Sequence, residues 1–405
     1  MKACGVVVEY NPFHNGHHYH LIKSKEKAGA DCMIAVMSGN FLQRGEPAIM
    51  DKWHRASAAL QAGADLVLEL PYIFAVQHSD YFSKGAVLTL AAAGVEAICF
   101  GSEIGEIEPF ITAWENFKSK KSTYDETVRN YLNRGFSFPE ASRYGYESIG
   151  LAEGKMDLSK PNNILGYSYV KQILAINPSI EPLTIARTNS QYHDKSINGN
   201  IASATSIRRE LLEHGTLTEK ASHTLPVITQ EKLSEYQRKT GKWHRWEDYF
   251  QLLQYRILTS KEQDLRRIHG VDEGLEYRLK RTMRQSSNYQ DFMDRLKTKR
   301  YTWTRLQRAL VHILTGTTKE DARPLLDEPS LPYIRVLGMN QRGQSYLNQA
   351  KKTLEVPLLT QPQQLDHPLL EAEARASIAY YSILKDTHRI PAYQREYKAP
   401  VIIHS

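Results

Sequence analysis

Five short apolar runs alternate with helical patterns over the first half of the chain, and this alternation limits the fold more than any other feature. The runs, rich in β-branched residues, read ACGVVVE, CMIAVM, DLVLELP, EAICFGSE and PLTIAR. The segments between them, HHYHLIKSKEKAG, KWHRASAALQAG, HSDYFSKGAVLTLAAAG and PNNILGYSYVKQILAI, have helical spacing. Because strands that alternate with helices form parallel sheets covered on both faces, we predict an α/β, Rossmann-like parallel sheet. Ligands of such sheets bind beyond the carboxyl ends of the strands.

The length of 405 residues predicts more than one domain. Residues 1–215 hold the alternating pattern, with a helical insertion at about 106–150, and residues 216–405 read as an α-helical region. We interpret LPYIRVLGMNQRGQSYLNQAKK as a small helical unit within a subdomain at about 330–405. Residues 1–215 carry 21 Lys and Arg against 23 Asp and Glu, whereas residues 216–405 carry 31 against 22. The second half is therefore predicted to bind a polyanion.

The composition excludes several classes of protein. No apolar run is long enough for a membrane span, and the start lacks the pattern of a signal peptide, so we expect a cytoplasmic protein without membrane contact. Cys4, Cys32 and Cys99 are odd in number and lie inside apolar runs. Such cysteines act as small buried hydrophobes, so we predict reduced thiols and no thiolate metal site.

The stretch EYNPFHNGHHYH, Glu9 to His20, places four histidines directly after the first predicted strand. Zinc sites that use two histidines on one helix need the HExxH spacing, which is absent here. A phosphate site fits better, because Asn-Pro turns the chain and Gly16 lets the backbone approach an anion at the start of the next helix. His14 and His17 would then donate hydrogen bonds to phosphate oxygens. The alternatives are a metal site and a histidine-rich surface turn without a ligand.

A second segment, Ile201 to Leu211, reads IASATSIRREL and places Ser203, Thr205 and Arg208 at the start of a predicted helix. Alone, this is a good helix N-cap. Together with the His-x-Gly-His turn, it resembles the pair of signatures in the nucleotidyltransferase superfamily, which is related to class I aminoacyl-tRNA synthetases. In that superfamily the first signature holds the α-phosphate region of the nucleotide, and the second contacts the departing pyrophosphate.

The resemblance extends to one family. The segments VVEYNPFHNGHHYH, MSGNFLQRGEPA, DLVLELP, FGSE, PNNILGYSY, IASATSIR and YIRVLG, in this order, resemble those of the bacterial tRNA(Met) cytidine acetate ligases over essentially the whole chain. The resemblance implies that ATP activates acetate to acetyl-adenylate, and that the acetyl group passes to N4 of the wobble cytidine in elongator tRNA(Met). ATP as a substrate, Mg²⁺ on the ATP phosphates and no stable protein partner are the associated expectations.

The same resemblance assigns site residues. The catalytic set is His14, His17, Ser203, Thr205 and Arg208. The nucleotide contacts are Val7, Val8, Glu9, Tyr10, Asn11, Pro12, Phe13, Asn15, Gly16, His18, Tyr19, His20, Gly101, Asn162, Arg187 and Thr188. Read as residues alone, Gly101 also suits an ordinary turn and Asn162 a helix N-cap. Gln43, Arg44 and Glu46, in the loop after the second strand, are candidates for holding acetate or cytidine, or form an ordinary polar loop.

The basic half has a focus between Arg278 and Arg308, where ten Lys and Arg occur with two acids, and Tyr277, Tyr289, Phe292, Tyr301 and Trp303 are interleaved. Basic groups would meet phosphates and exposed aromatic rings would stack on unpaired bases, although a solvated helix face with core aromatics reads the same way. The predicted RNA contacts are Arg278, Arg281, Arg284, Lys299, Arg300 and Arg305.

Two other functions compete with the acetate ligase. A small-molecule adenylyltransferase would use the same signatures, but it has no need of a large basic half. An RNA-binding protein with an inactive nucleotide site would be expected to have lost some of the signature residues, yet His14, Gly16, His17, Ser203, Thr205 and Arg208 are all present.

Overall fold

The computed structural model describes residues 1–152, 156–158, 160–186 and 202–404. Its strands are β1 (Ala3–Val8), β2 (Cys32–Ser38), β3 (Leu66–Leu70), β4 (Ala97–Ser102), β5 (Glu181–Ala186), β6 (Ile334–Asn340), β7 (Leu358–Leu359) and β8 (Val401–Ile403). The five strands predicted from the first half are β1 to β5, and all five are confirmed.

The helices of the first half are α1 (Asn15–Ala28), α2 (Lys52–Gln61), α3 (Tyr72–Ala75), α4 (Ser79–Ala92), α5 (Glu108–Ser119), α6 (Lys121–Asn133), α7 (Phe138–Ser148), α8 (Pro161–Ile176) and α9 (Ala204–His214). The four predicted helices correspond to α1, α2, α4 and α8. Helices α5, α6 and α7 form the predicted helical insertion between β4 and α8.

The second half is mostly helical. Its helices are α10 (Glu219–Ser222), α11 (Val227–Thr240), α12 (Phe250–Thr259), α13 (Glu262–Arg267), α14 (Leu275–Met283), α15 (Tyr289–Leu296), α16 (Trp303–Thr315), α17 (Lys319–Asp327), α18 (Gln341–Ala350), α19 (Pro368–Tyr381) and α20 (Asp386–Arg395), with short 3₁₀ turns at Trp246–Tyr249 and Pro362–Gln364. The predicted α/β class with a helical carboxyl-terminal region is confirmed.

The strand order is β5-β4-β1-β2-β3-β6-β7, and β8 also pairs with β6. Strands β1 to β5 are parallel to one another. The chain builds outward from β1 through β2 to β3, then returns to place β4 on the other side of β1. The strand order therefore reverses between β1 and β4. In sheets of this type, the ligand crevice lies at this topological switch point.

One segment differs from the prediction. The run YIRVLG, interpreted as part of a small helical unit, forms β6 and pairs antiparallel with β3. Its apolar and β-branched residues are buried, as in a strand covered on both faces. Gly338 packs so closely below α2 that a Cβ atom there would lie less than 3.0 Å from Leu60. The strand covers the edge of β3, which would otherwise present unpaired backbone groups.

Apolar side chains cover both faces of the sheet. One buried cluster includes Ile34, Leu68 and Phe74 and continues into the helices of the second half, and another includes Val6, Met33 and Leu60. The three cysteines are free and buried, and burial raises the pKa of Cys32 to about 12 and that of Cys99 to about 11. They are inert core residues, as predicted. Across the described ranges, none of the helices combines the length and the apolar character that a membrane crossing requires.

Candidate active site

A cavity of about 740 Å³ opens at the topological switch point between β1 and β4. Val7, Val8 and Glu9 line it from the end of β1, Phe100 and Gly101 from β4, and Ile185 and Ala186 from β5. The starts of α1, α4 and α8, parts of α7 and α16, and the loop after β2 contribute further lining residues. The sheet topology places the carboxyl ends of three strands around one space, as the α/β prediction required.

His14 and His17 lie at the start of α1 and line the cavity. His14 is the N-cap, and its Nδ1 accepts a hydrogen bond from the Gly16 N–H at 3.0 Å. His17 Nδ1 accepts one from the His14 N–H at 3.3 Å, and the two rings stack with their centres 3.7 Å apart. A ring nitrogen that accepts a hydrogen bond carries no proton. When neutral, each ring therefore carries its proton on Nε2.

The first backbone N–H groups of α1 are already hydrogen-bonded. The Asn15 N–H donates to the Thr224 carbonyl at 3.0 Å, and the Gly16 N–H donates to His14. A phosphate site formed by the backbone at Gly16 would need N–H groups that face the anion, and these two already have acceptors. The two imidazole rings, together with the positive end of the helix, replace them as the polar surface offered to a ligand.

Six predicted nucleotide contacts do not line the cavity: Tyr10, Asn11, Pro12, Phe13, Asn15 and His18. Tyr10, Asn11 and Phe13 are buried in the turn between β1 and α1. Asn11 Oδ1 accepts a hydrogen bond from the Ile49 N–H at 2.7 Å, so Asn11 holds the turn against the following loop. The Asn15 side chain donates to the His223 carbonyl. The prediction treated the whole motif as a contact surface, whereas half of its side chains support the turn from behind.

Glu9 and the loop after β2 are joined at the cavity wall. Glu9 Oε1 accepts a hydrogen bond from the Gln43 N–H at 2.8 Å. Burial raises the pKa of Glu9, and the bond from Gln43 lowers it. Gln43 and Arg44 line the cavity, as a binding role for the loop requires. Glu46 instead pairs with Arg208, with 2.9 Å between Oε2 and the guanidinium.

On the side of β4 and β5, the cavity contains the predicted residues Gly16, Tyr19, His20, Gly101 and Asn162. The Asn162 side chain donates to Glu103 Oε1 at 2.7 Å, which ties the start of α8 to the end of β4. Arg187 and Thr188 lie outside the described residues, and the described part of β5 ends at Ala186, on the cavity wall.

The second signature meets the first through Arg208. Ser203 is the N-cap of α9 and accepts a hydrogen bond from the Ser206 N–H at 3.1 Å, while Thr205 is exposed. The Arg208 guanidinium donates to the Asn11 carbonyl at 3.0 Å and pairs with Glu46. None of these three residues lines the cavity. Arg208 therefore fastens the two signatures and the loop after β2 to one another.

Several residues of the cavity wall were not predicted. His78, Ser79 and Asp80 begin α4, and Thr304 and Arg308 come from α16 in the second half. Phe138, Arg143 and Tyr146 come from the insertion. A signal existed for the insertion and for α4, because both follow strands of the sheet and so start at its ligand edge. No local pattern marks Arg308, since its contact with the cavity depends on how the two halves pack.

The basic segment has fewer available groups than its composition suggests. Arg278 donates to the Leu296 carbonyl at 2.7 Å at the end of α15, and Arg300 and Arg305 pair with Glu273. Arg281, Arg284 and Lys299 are exposed. Of the interleaved aromatic residues, Tyr289, Phe292 and Tyr301 are buried, whereas Tyr277 is 58% exposed. The alternative interpretation, that the aromatic residues of this run belong to the core, is therefore correct for Tyr289, Phe292 and Tyr301.

The chain matches the HIGH Nucleotidyl Transferase family over residues 1–395. It is 50% identical to the tRNA(Met) cytidine acetate ligase of Oceanobacillus iheyensis over 403 residues, covering 100% of both chains. It is 46% identical to the enzyme of that name from Bacillus subtilis, over 99% of this chain and 97% of the relative.

Solved structures agree with the sequence matches. The apo crystal structure of Thermotoga maritima TmcAL superposes with a TM-score of 0.92 at 33% identity, and both chains are covered completely. The same protein bound with alpha-thio ATP superposes with a TM-score of 0.90 at 32% identity, again over the whole of both chains. This chain belongs to the HIGH nucleotidyl transferases and, within them, to the family of the tRNA(Met) cytidine acetate ligases.

Proposed function

We propose that this protein is an ATP-dependent ligase that activates acetate and acetylates N4 of the wobble cytidine in elongator tRNA(Met). The observation that carries the proposal is the full-length match to relatives named tRNA(Met) cytidine acetate ligase, together with a cavity at the sheet's switch point that holds the His14–His17 pair. ATP as the activating substrate is supported by the alpha-thio ATP complex of the T. maritima protein. Such an enzyme would work where tRNA is modified, in the cytoplasm.

The proposed chemistry has two steps. A carboxylate oxygen of acetate attacks the α-phosphorus of ATP, the bond from that phosphorus to the bridging oxygen breaks, and pyrophosphate leaves. The N4 amine of cytidine then attacks the carbonyl carbon of acetyl-adenylate, the bond from that carbon to the oxygen bridging it to phosphorus breaks, AMP leaves with that oxygen, and the amine loses a proton. Both steps gain most from groups that position the reactants and offset negative charge.

The His14–His17 pair suits the first step. Their Nε2–H donors are held by the two hydrogen bonds at Nδ1 and by ring stacking, so little reorganisation is needed when charge builds on the α-phosphate. Mg²⁺ bound to the ATP phosphates would offset further charge. Within the described ranges, no group of three His, Cys, Asp or Glu residues could hold a metal ion, so we propose that phosphate oxygens and water carry it.

We further propose that residues 1–215 activate acetate and residues 216–405 form the tRNA-binding region, with the exposed cations Arg281, Arg284 and Lys299 among its tRNA contacts. Lys299 lies close to the insertion. The Ser137 hydroxyl and N–H groups lower the pKa of Glu140 most, and Arg143 and Lys299 lower it further. Helix α7, which carries Glu140, lines the cavity from which acetyl-adenylate must be delivered, so the basic segment lies near that cavity.

The first test is ATP–pyrophosphate exchange by the purified protein, without RNA and with or without acetate. We expect exchange that requires acetate and falls roughly 100-fold or more in His17→Ala, because removing one preorganised donor from a developing anion has about that effect. His214→Ala, at the exposed end of α9, is the matched control and should exchange normally. Exchange that needs no carboxylate would point to another adenylyltransferase, and ATP binding without any exchange would contradict the proposal.

A further inference from the structure

Arg308 is a cation on the cavity wall that has no counter-charge among the residues the structure describes. It lies on α16 and reaches the cavity beside Thr304. Its guanidinium forms no hydrogen bond or ion pair with the described residues. Desolvation first, and then the neighbouring charges of Arg305 and Arg44, lower the pKa of Arg308 to about 10. A half-buried charge that is surrounded by like charges is costly unless a ligand supplies the opposite charge.

The acids on the same wall do not supply that charge. Asp80 Oδ1 pairs with Lys171 Nζ at 3.1 Å. Glu9 accepts the Gln43 N–H, and burial favours its neutral form by raising its pKa. An anion that enters the cavity would thus find Arg308 available without breaking an existing ion pair.

Arg308 lies on one particular side of the cavity. Burial lowers the pKa of His78 most, Asp80 opposes this, and the charge of Arg308 adds to the lowering, so Arg308 is near the start of α4. Its backbone also packs against Gly45 in the loop after β2. The start of α4 follows β3 and Gly45 follows β2, so both contacts lie on the side of β1 where β2 and β3 pair. Gly101, Asn162 and Ala186 lie on the opposite, β4 and β5 side, and the His14–His17 pair follows β1 between them.

We infer that Arg308 binds the carboxylate of the acyl substrate and holds it against the α-phosphate. The inference rests on the proposed function and adds a substrate-binding residue from the second half. Acetate carries one charge, and it must approach a phosphate of the same sign. A guanidinium beside both anions offsets their repulsion, and its two parallel N–H donors match a carboxylate. Phe82, which is buried on α4 and also lines the cavity, offers an apolar surface for the methyl group.

The test separates acetate from ATP in the exchange reaction without tRNA. For Arg308→Gln, we expect the KM for acetate to rise roughly 10- to 100-fold, as for loss of a charge-assisted hydrogen bond, while the KM for ATP changes less than about threefold. Arg308→Lys, which keeps the charge but not the paired donors, should lie between the two proteins. Arg342→Gln is the matched control, because Arg342 is exposed beside Asp65 at the opposite edge of the sheet.

Thermal unfolding supplies a readout that does not depend on activity. Because Arg308→Gln removes a desolvated charge that has no partner in the described structure, its Tm should be no lower than that of the unchanged protein. A clearly lower Tm would show a structural role and overturn the inference. So would an equal rise in the KM for ATP, which would assign Arg308 to the phosphates, or unchanged KM values for both substrates. Absence of acetate-dependent exchange in the unchanged protein would instead refute the proposed function.

Discussion

At the scale of single residues, the loop after β2 is held against α16 by a position that tolerates only glycine. Gly45 has a φ of +76°. A Cβ atom there would lie less than 3.0 Å from the backbone of Arg308 and Gln307. The Gly45 carbonyl also accepts a hydrogen bond from Trp246 Nε1 at 2.9 Å. This contact couples Arg44 on the loop to Arg308 on the helix, the two guanidinium groups of that side of the cavity.

We predict that Gly45→Ala lowers the free energy of unfolding by roughly 2–4 kcal/mol, since a left-handed backbone and an unavoidable backbone clash both oppose the methyl group. The KM for acetate should also rise, because the loop must move away from α16. Gly135→Ala is the control: Gly135 has a φ of +84° but no atom within 4 Å of an added Cβ. Urea unfolding of both variants separates the cost of the clash, which only Gly45→Ala carries, from the cost of placing alanine in a left-handed backbone conformation, which both variants carry. Equal losses of stability would show that the Gly45 contact is unimportant.

The residues that sequence predicted best are those whose role is local. His14, Gly16 and His17 lie within four positions of one another, so their geometry follows from one turn after one strand. Arg208 was predicted to contact pyrophosphate, but it binds the Asn11 carbonyl and Glu46, and neither partner is visible in the IASATSIR segment itself. Arg308 was grouped with surface cations because its surroundings come from α4 and the loop after β2, far away in sequence.

At the scale of elements, a buried cluster of charges joins α2, β3, β6 and α19. Lys52 Nζ lies 2.6 Å from Glu69, 3.2 Å from Glu373 and 2.8 Å from Glu396. Arg335 pairs with Glu69 and Glu396. Two cations thus face three carboxyl groups in a region without solvent, and one retained proton would balance the charges. Burial and the charge of Glu69 raise the pKa of Glu373 to about 8, which makes Glu373 the site of that proton.

A pH dependence of stability follows. The pKa of Glu373 is raised from an ordinary value of 4.5, so the folded protein binds a proton that the unfolded chain releases, and stability falls as pH rises from about 4.5 to about 8. We predict that Glu373→Gln, which is neutral at every pH, gains stability relative to the unchanged protein over this window, by at most about 1.4 kcal/mol per pH unit. The difference should level off above pH 8.

Urea unfolding at several pH values measures this difference. Glu371→Gln, two residues earlier on the exposed face of α19, is the matched control and should follow the unchanged protein at every pH. If the difference between Glu373→Gln and the unchanged protein stays constant from pH 5 to pH 8, Glu373 does not hold the proton.

The same cluster shows which strands could be predicted from the sequence and which could not. Strands β1 to β5 were predicted correctly because alternation with helices is a local, repeated pattern. The place of β6 was not, because a single apolar run after a long helical region does not reveal which sheet edge it will join. Arg335 within YIRVLG is nearly fully buried, and only the carboxylates of β3 and of the segment after α20 explain a charge there.

At the scale of the whole molecule, the cavity opens between a nearly neutral half and a basic one. The insertion helix α7 and helix α16 both line it, and Lys299 of the basic segment before α16 acts electrostatically on Glu140 of α7. If tRNA binds on this side, phosphates contacting Arg281, Arg284 and Lys299 would place an unpaired anticodon base near the acetyl-adenylate. RNA binding that depends on such contacts should weaken with salt, because each contact releases counterions.

We predict that replacing Arg281, Arg284 and Lys299 together with Glu weakens tRNA binding by roughly 100-fold or more and reduces the slope of log K against log salt by roughly 0.7–0.9 for each lost contact. Acetate-dependent ATP–pyrophosphate exchange without RNA should stay unchanged, because these exposed side chains do not line the cavity. Fluorescence anisotropy with labelled tRNA at several salt concentrations measures both effects. The control replaces Arg342, Lys351 and Lys352, three exposed cations on and after α18, with Glu. An equal loss in the control would mean that net charge, and not this surface, attracts tRNA; unchanged binding in the first variant would place the tRNA elsewhere.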